Sequence, residues 1–332
     1  MKKAMMAIAL AAGIAAAWPA EWARAQAAQP HGFPTRPVTI LVPLAPGGST
    51  DTIARIVAEG MRGPLGQTVI VENSPGAGGT TGVIRAARSA PDGYIVQIGQ
   101  WGTNVASGAV HNLPIDLLKD LEPVGLISTQ PSLIVGRKTL AANTMQELVA
   151  WLKENSGKVS VGTSGPGSPS HVFGSFFQNA IGAKFNFVPY RSAGESQKDL
   201  VGGQVDMIID TPSTSGQNVK NGLIKAYVIA GRDRTPVLPD VPTVDETGHK
   251  GMYFYFWHAL WVPKGTPKDV VATLNSALVK AVNDPATRTR LAGIGQEFFP
   301  AAMGTPQALA RFQKEEMDKW WPVIKAQGIK VQ

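Results

Sequence analysis

The stretch RPVTILVPLAPGGSTDTIARIVAEGM, Arg36–Met61, sets the architecture of the chain. Pro37 to Leu44 is a short β-rich run. It breaks at Ala45-Pro46-Gly47-Gly48-Ser49, and a different period follows, with Ile53, Ile56, Val57 and Met61 on one helical face. The same order then recurs. TVIVEN (68–73) leads through a glycine-rich turn into a helical pattern over Thr80–Ala90, and YIVQIG (94–99) is the next strand. A repeated strand, loop and helix implies a parallel sheet covered by helices.

A second series of the same kind begins near residue 128. Thr144 and Glu147 are spaced as a capping box for a helix that turns Met145, Leu148, Val149 and Leu152 inward, with Gly157 placed to end it. KVSVGT (158–163) runs into the small-residue loop Ser164–Ser170, and the next helix buries Val172, Phe173, Phe176, Phe177 and Ala180. KFNFVPY, VDMIID and IKAYVIA supply further strands. Beyond Pro242, Tyr253–Val262 reads as a long strand, Pro267 opens a helix, and Thr305-Pro306 opens a last one ending near Lys325. Two α/β series predict two lobes.

The N-terminus bounds the compartment. Lys2 and Lys3 precede an apolar, alanine-rich run from Ala4 to Ala17. Trp18-Pro19 stops it, and Ala23-Arg24-Ala25 and Ala25-Gln26-Ala27 offer small-x-small cleavage sites. This is the order of a secretory signal peptide over residues 1–27. The run is well short of the roughly 20 residues that span a bilayer. The 332 residues contain no cysteine, so neither disulfides nor a cysteine-linked lipid is available. Formal charge is +7, and loss of Lys2, Lys3, Arg24 and Glu21 with the signal leaves about +5. The basic residues are scattered, which argues against a nucleic-acid partner.

In open parallel sheets, ligands bind beyond the carboxyl ends of strands, where helices begin. Four loops have that position. Pro46, Gly47, Gly48, Ser49, Thr50 and Asp51 combine close backbone approach with hydroxyls at a helix start, a setting that favours an anion. Ser164, Gly165, Gly167 and Ser168, with His171 behind them, form the equivalent loop of the second series. Trp101, Thr103 and Asn104 follow the third strand, where Trp101 either stacks on a planar ligand or fills the core. Asp210 follows VDMII and either meets a ligand donor or caps the next helix. The opposed Gly/Ser/Thr loops, without lysine or arginine, predict a small organic carboxylate, di- or aromatic, as ligand.

Enzyme chemistries find little support. In Gly76–Gly82, Thr81 stands where a dinucleotide fingerprint needs its third glycine, and no Walker loop or Gly-x-Ser-x-Gly elbow occurs. The histidines His31, His111, His171, His249 and His258 lack metal-ligand spacing, so no metal or cofactor is expected. A hydrolase using His171 and Asp210 as acid and base is the enzymatic alternative.

RPVTILVPLAPGGSTDTIAR, VIVENSPGAGGTTG and APDGY, followed by GSPSH, VPYRSAGESQKDLVGGQVDMIID, IKAYVIAGRDRTPVLPDVPTVDETG and WHALWVPKGTPKDVVATLN, resemble in order the Bug/TctC family. These are periplasmic receptors of tripartite tricarboxylate transporters. The resemblance implies a two-lobed periplasmic-binding-protein fold, two sheets flanked by helices with a ligand cleft between lobes. It places domain 1 at residues 28–128 and 253–332 and domain 2 at 129–252, with strands crossing near 123–129 and 252–262. It also implies a carboxylate gripped by the loops at Pro46–Asp51 and Ser164–Ser168, membrane permease subunits as partners of a monomer, and no catalysis. A sensor presenting its bound carboxylate to a signalling protein is the alternative role. Leu44, Asn73-Ser74-Pro75 and Gln100-Trp101 depart from the family's usual residues.

Overall fold

The computed structural model describes residues 32–190 and 193–329. The signal-peptide segment, residues 1–27, and His31 lie outside the described residues. Two five-stranded sheets organise the chain. The first is built from β1 (Val38–Val42), β2 (Val69–Asn73), β3 (Ile95–Gln100), β4 (Leu121–Pro131) and β10 (Tyr255–Pro263), in the order β2-β1-β3-β10-β4. The second holds β5 (Leu133–Arg137), β6 (Val159–Thr163), β7 (Phe185–Pro189), β8 (Met207–Asp210) and β9 (Ile224–Ile229), in the order β7-β6-β8-β5-β9.

Both sheets are mixed, where the sequence pattern predicts parallel ones. β1 runs parallel to β2 and β3, and β6 to β7 and β8. β10, however, lies antiparallel between β3 and β4, and β5 antiparallel between β8 and β9. Each reversed strand enters its sheet directly from the other one, so its direction is set by that passage and not by a crossover helix. The chain leaves the first sheet after Pro131 and returns to it at Tyr255. The two passing segments are bonded to each other: Ser132 N–H donates to Phe254 O (2.8 Å), Ala230 N–H to Ser132 O (2.8 Å) and Phe254 N–H to Ala230 O (3.0 Å).

Helices cover the sheets on apolar faces. α1 (Ser49–Leu65) buries Ile53, Ile56, Val57 and Met61, and α8 (Lys268–Asn283) packs beside it through Val271, Leu274 and Leu278. α2 (Thr80–Ala87) follows β2, and the short α3 (Ser107–Val110) follows β3. In α4 (Met145–Glu154), Thr144 caps as its spacing predicts, accepting from Glu147 N–H, while Glu147 returns to Asn143 N–H (2.7 Å). The helix ends at Asn155; Gly157, at φ +80°, makes the turn after it. The second sheet carries α5 (Pro169–Ile181), α6 (Ala193–Val201) and α7 (Pro212–Lys220). α9 (Pro285–Gly293) has only a weak apolar stripe, burying Thr287 and Leu291, and α10 (Pro306–Ala326) closes the fold against β4.

The core does not stop at the boundary between sheets. Trp101 and Trp320 from the first lobe meet Phe173 and Phe176 of α5 around Phe254, with ring centroids 4.9–5.7 Å apart in the Trp101–Phe254, Trp101–Trp320, Phe173–Phe254, Phe254–Trp320 and Phe176–Trp320 pairs. No helix among the described residues is long and apolar enough to cross a membrane.

Gly82 of α2 lies close to the chain just beyond β1 and β2. A Cβ there would fall 2.6 Å from Pro43 Cα and 2.7 Å from Ser74 O, both backbone atoms. Gly82→Ala is therefore expected to cost about 1–3 kcal/mol of stability by overpacking, measured as a lower denaturant midpoint at unchanged slope.

Candidate functional site

β1, β3, β6 and β8 all end on the same cleft, of about 700 Å³, between the two sheets. Pro46, Gly47, Gly48, Ser49 and Thr50 line it from the first lobe. Ser164, Gly167, Ser168 and Asp210 line it from the second. The structure thus brings together nine of the residues singled out by sequence.

The first loop leads straight into α1. Gly48 precedes α1 in an extended conformation (φ −81°, ψ 172°) and has no side chain to cap the helix, so no side-chain cap occupies the first-turn N–H groups where Ser49 and Thr50 line the cleft. Asp51 does not line the cleft. Its Oδ2 accepts from Gly47 N–H (3.0 Å) and Arg55 Nε (3.0 Å), and its Oδ1 from Arg55 (2.9 Å) and Asn73 Nδ2 (3.1 Å). Burial pushes its carboxyl upward, but the bonds from Arg55, Gly47 and Asn73 outweigh this and hold it below the usual carboxylate value. Asp51 sets the shape of the loop.

The second loop is capped where the first is not. Ser168 caps α5, its Oγ accepting from His171 N–H (3.3 Å), and Ser164 N–H donates to Ser170 Oγ (3.0 Å). His171 stands behind the loop, outside the cleft: Nδ1 accepts from Gly167 N–H (3.0 Å) while the ring meets Phe187 edge-on, and burial keeps its pKa low. Gly165, at φ +95°, does not line the cleft and gives its carbonyl to Ser168 N–H (3.2 Å). Gly167 takes φ +74° and closes against Val110 of the first lobe, where a Cβ would fall 2.5 Å from Val110 Cγ1.

The third loop corrects the sequence reading. After β3 the chain enters a π-helical turn, 102–106, which rotates Trp101, Thr103 and Asn104 into the interior with no exposed surface. Trp101 joins the aromatic cluster at Phe254 and Trp320. Asn104 exchanges two hydrogen bonds with Gln97 (2.9 and 3.1 Å) and accepts from Thr103 Oγ1 (2.8 Å). Gln100 and Gly102 face the cleft instead. Asp210 lines the cleft, yet its Oδ2 is already bonded to Gln197 Nε2 (2.8 Å) and Ser215 Oγ (2.7 Å), tying α6 to α7. Burial raises its pKa against those bonds.

Sequence reasoning passed over the floor. His258 of β10 pairs in register with Gln100 of β3, and Phe256 with Gln130 of β4, and all four line the cleft. A shared face follows from strand register, which single-strand patterns do not reveal. Ala193 and Gly194 at the start of α6, and Thr211 and Thr214 at α7, add two more helix N-termini to the lining. Among the described lining residues there is no lysine, arginine or glutamate; the titratable ones are His111, Asp210 and His258. Burial lowers both histidines, His258 to about 3. No group of metal-ligating side chains occurs among the described residues.

Two lobes, a cleft at strand ends and a lining of neutral donors at helix starts define a solute-binding protein. The sequence profile of the tripartite tricarboxylate transporter family receptor, TctC, matches residues 53–329, and the chain belongs to that family. It is similar to a UPF0065 protein from the TAR-I ttuE-ttuC′ intergenic region of Agrobacterium vitis, 40% identical over 89% of this chain and 86% of that one. It is also similar to the solved periplasmic binding protein BugD (37% identity, TM-score 0.82, 90% of this chain and 100% of that one). MatC from Rhodopseudomonas palustris with bound malate is 36% identical at TM-score 0.81, covering 88% of this chain and 100% of that one. A second R. palustris protein, solved with adipate, is 28% identical at TM-score 0.83, covering 90% and 100%. The family and these neighbours are solute-binding receptors, not enzymes.

Two outcomes follow from the buried side chains. Trp101→Ala is expected to lower stability by about 3–5 kcal/mol and to change affinity for aromatic and aliphatic acids alike; a loss confined to aromatic acids in calorimetric titration would restore Trp101 to the ligand. His258 binds its proton near the ordinary 6.5 when unfolded and only near 3 when folded. Between those values the unfolded state holds more protons, so stability falls as pH drops through that window. His258→Gln is expected to flatten this acid limb in denaturant melts taken from pH 7 to pH 4.

Proposed function

We propose that the protein captures a small organic carboxylate in the cleft and delivers it to the membrane permease subunits of a tripartite transporter, acting as a monomer in the periplasm after loss of residues 1–27. The observation that carries this reading is the pair of opposed loops, 46–50 and 164–168, at the N-termini of α1 and α5 with no cationic side chain among the described lining residues. The positive end of a helix suits an anion without a salt bridge. Hydrogen bonds to a charged group contribute on the order of 1.5–3 kcal/mol each, so a few reach the roughly 8 kcal/mol of micromolar binding. The malate and adipate held by the solved R. palustris relatives support the ligand class.

Release requires the lobes to part. The passages at 131–133 and 229–255 are the natural division between them, and ligand is expected to favour the closed arrangement. A thermal-shift screen of mono-, di- and tricarboxylates, aliphatic and aromatic, with sugars and cations as controls, tests the ligand class, since a ligand of the native state raises the melting temperature. At least one carboxylate should stabilise, and Ser168→Ala should weaken its binding by roughly tenfold through the lost hydroxyl and the lost cap. Stabilisation by sugars or cations alone would overturn the reading.

A further inference from the structure

His258 sits on β10 opposite Gln100 and Ser128, lines the cleft floor, and is 3% exposed. Its Nε2 lies 3.2 Å from Thr50 Oγ1, at the first turn of α1, and this is the one hydrogen bond either side chain makes among the described residues. Its Nδ1 is enclosed and has no partner among the described residues. The anion-binding reading of the loop gives this imidazole no role, yet its environment fixes the polarity of the hydroxyl beside it.

A neutral imidazole carries its proton on one nitrogen or the other. With the proton on Nδ1, a buried N–H has no acceptor, the Thr50 hydroxyl donates to Nε2, and the Thr50 lone pairs are left to face the cleft. With the proton on Nε2, that N–H donates to Thr50 Oγ1, the threonine proton is free to point into the cleft, and only a lone pair on Nδ1 goes unused. Stranded buried N–H groups are rarer and costlier than under-used acceptors. The doubly protonated ring would strand the same N–H and is excluded near neutrality by burial.

We infer that His258 is a positioning residue for anion capture: its Nε2–H donates to Thr50 Oγ1 and so commits the Thr50 hydroxyl to donating into the cleft, toward the ligand carboxylate. This rests on the reading that the loop at 46–50 meets the carboxylate. A hydroxyl alone is ambivalent and accepts as readily as it donates. Locked by a neutral imidazole it becomes a fixed donor, and the opposite polarity would turn lone pairs on the anion. The cleft thereby gains an oriented positive group without a formal charge.

The test uses the full mature protein and calorimetric titration with malate, succinate, adipate and benzoate. Thr50→Val removes the hydroxyl at nearly constant shape, His258→Leu removes the donor behind it, and His258→Gln puts an amide N–H near the position of Nε2. For whichever of these acids binds, Thr50→Val and His258→Leu should each weaken affinity about five- to tenfold. The double variant should be no weaker than either single one, because both act through one hydroxyl, and His258→Gln should recover most of the loss. Multiplying effects in the double variant, or wild-type affinity in His258→Leu, overturn the inference. A second measurement needs no variant to fold: in nitrogen-15 spectra of the wild-type imidazoles, His258 should show a protonated Nε2 and a bare Nδ1 from pH 5 to pH 8, and a bare Nε2 overturns the inference alone. Failure of every carboxylate to bind wild-type protein, here and in the wider screen, overturns the proposed function and the inference with it.

Discussion

The antiparallel pairing of β4 with β10 is the constraint on which the rest of the molecule depends. Its register runs from Tyr255 opposite Pro131 to Pro263 opposite Leu121, so a strand from the middle of the chain is fixed to one that returns from the other sheet. The ends of these two strands are also where the chain passes between lobes, through Ser132 and Phe254. One ladder therefore does three things. It completes the first sheet, it joins the two passing segments, and it delivers the floor of the cleft by placing His258, Phe256 and Gln130 on the same face. A slip of one residue would put Gln130 on the opposite face from Phe256 and His258.

Above that floor, the two loops are shaped by residues that do not line the cleft. Asp51 fixes the first loop through Gly47, Arg55 and Asn73, and His171 fixes the second through Gly167. Asp210 links α6 to α7 and remains on the cleft wall. Preorganised neutral donors avoid the desolvation cost that a buried lysine or arginine would bring, which suits a site that must release what it binds. The lobes meet elsewhere through packed rings. Phe254 sits between Trp101, Trp320 and Phe173, outside the cleft lining.

Much of this architecture was open to reading in the linear chain, because it is written in local terms. Strand runs ending in glycine loops before apolar helical periods gave the α/β class and two lobes, and the same loops marked two helix starts that line the cleft. Thr144 and Glu147 were legible as a cap because the relevant bonds span only three or four residues. The neutral character of the cleft followed from the absence of lysine and arginine in those loops.

What the sequence could not decide is whatever depends on a partner far along the chain. The strand directions of β5 and β10 come from the passages between sheets, and local periodicity is blind to them. Trp101 was a candidate for stacking because it follows a strand; only the π-helical turn after it, with Phe254 and Trp320 waiting in the core, sends it inward. His258 shows the same limit in the other direction. In the sequence it is one polar residue in an apolar strand, 208 positions from Thr50. The sequence by itself determined the class of fold and the donor chemistry of the loops, since both are local properties of residue type and spacing. Tertiary structure alone decided which side chains reach the cleft and which way their protons point, because burial and hydrogen-bond polarity are set by neighbours the chain meets only once it has folded.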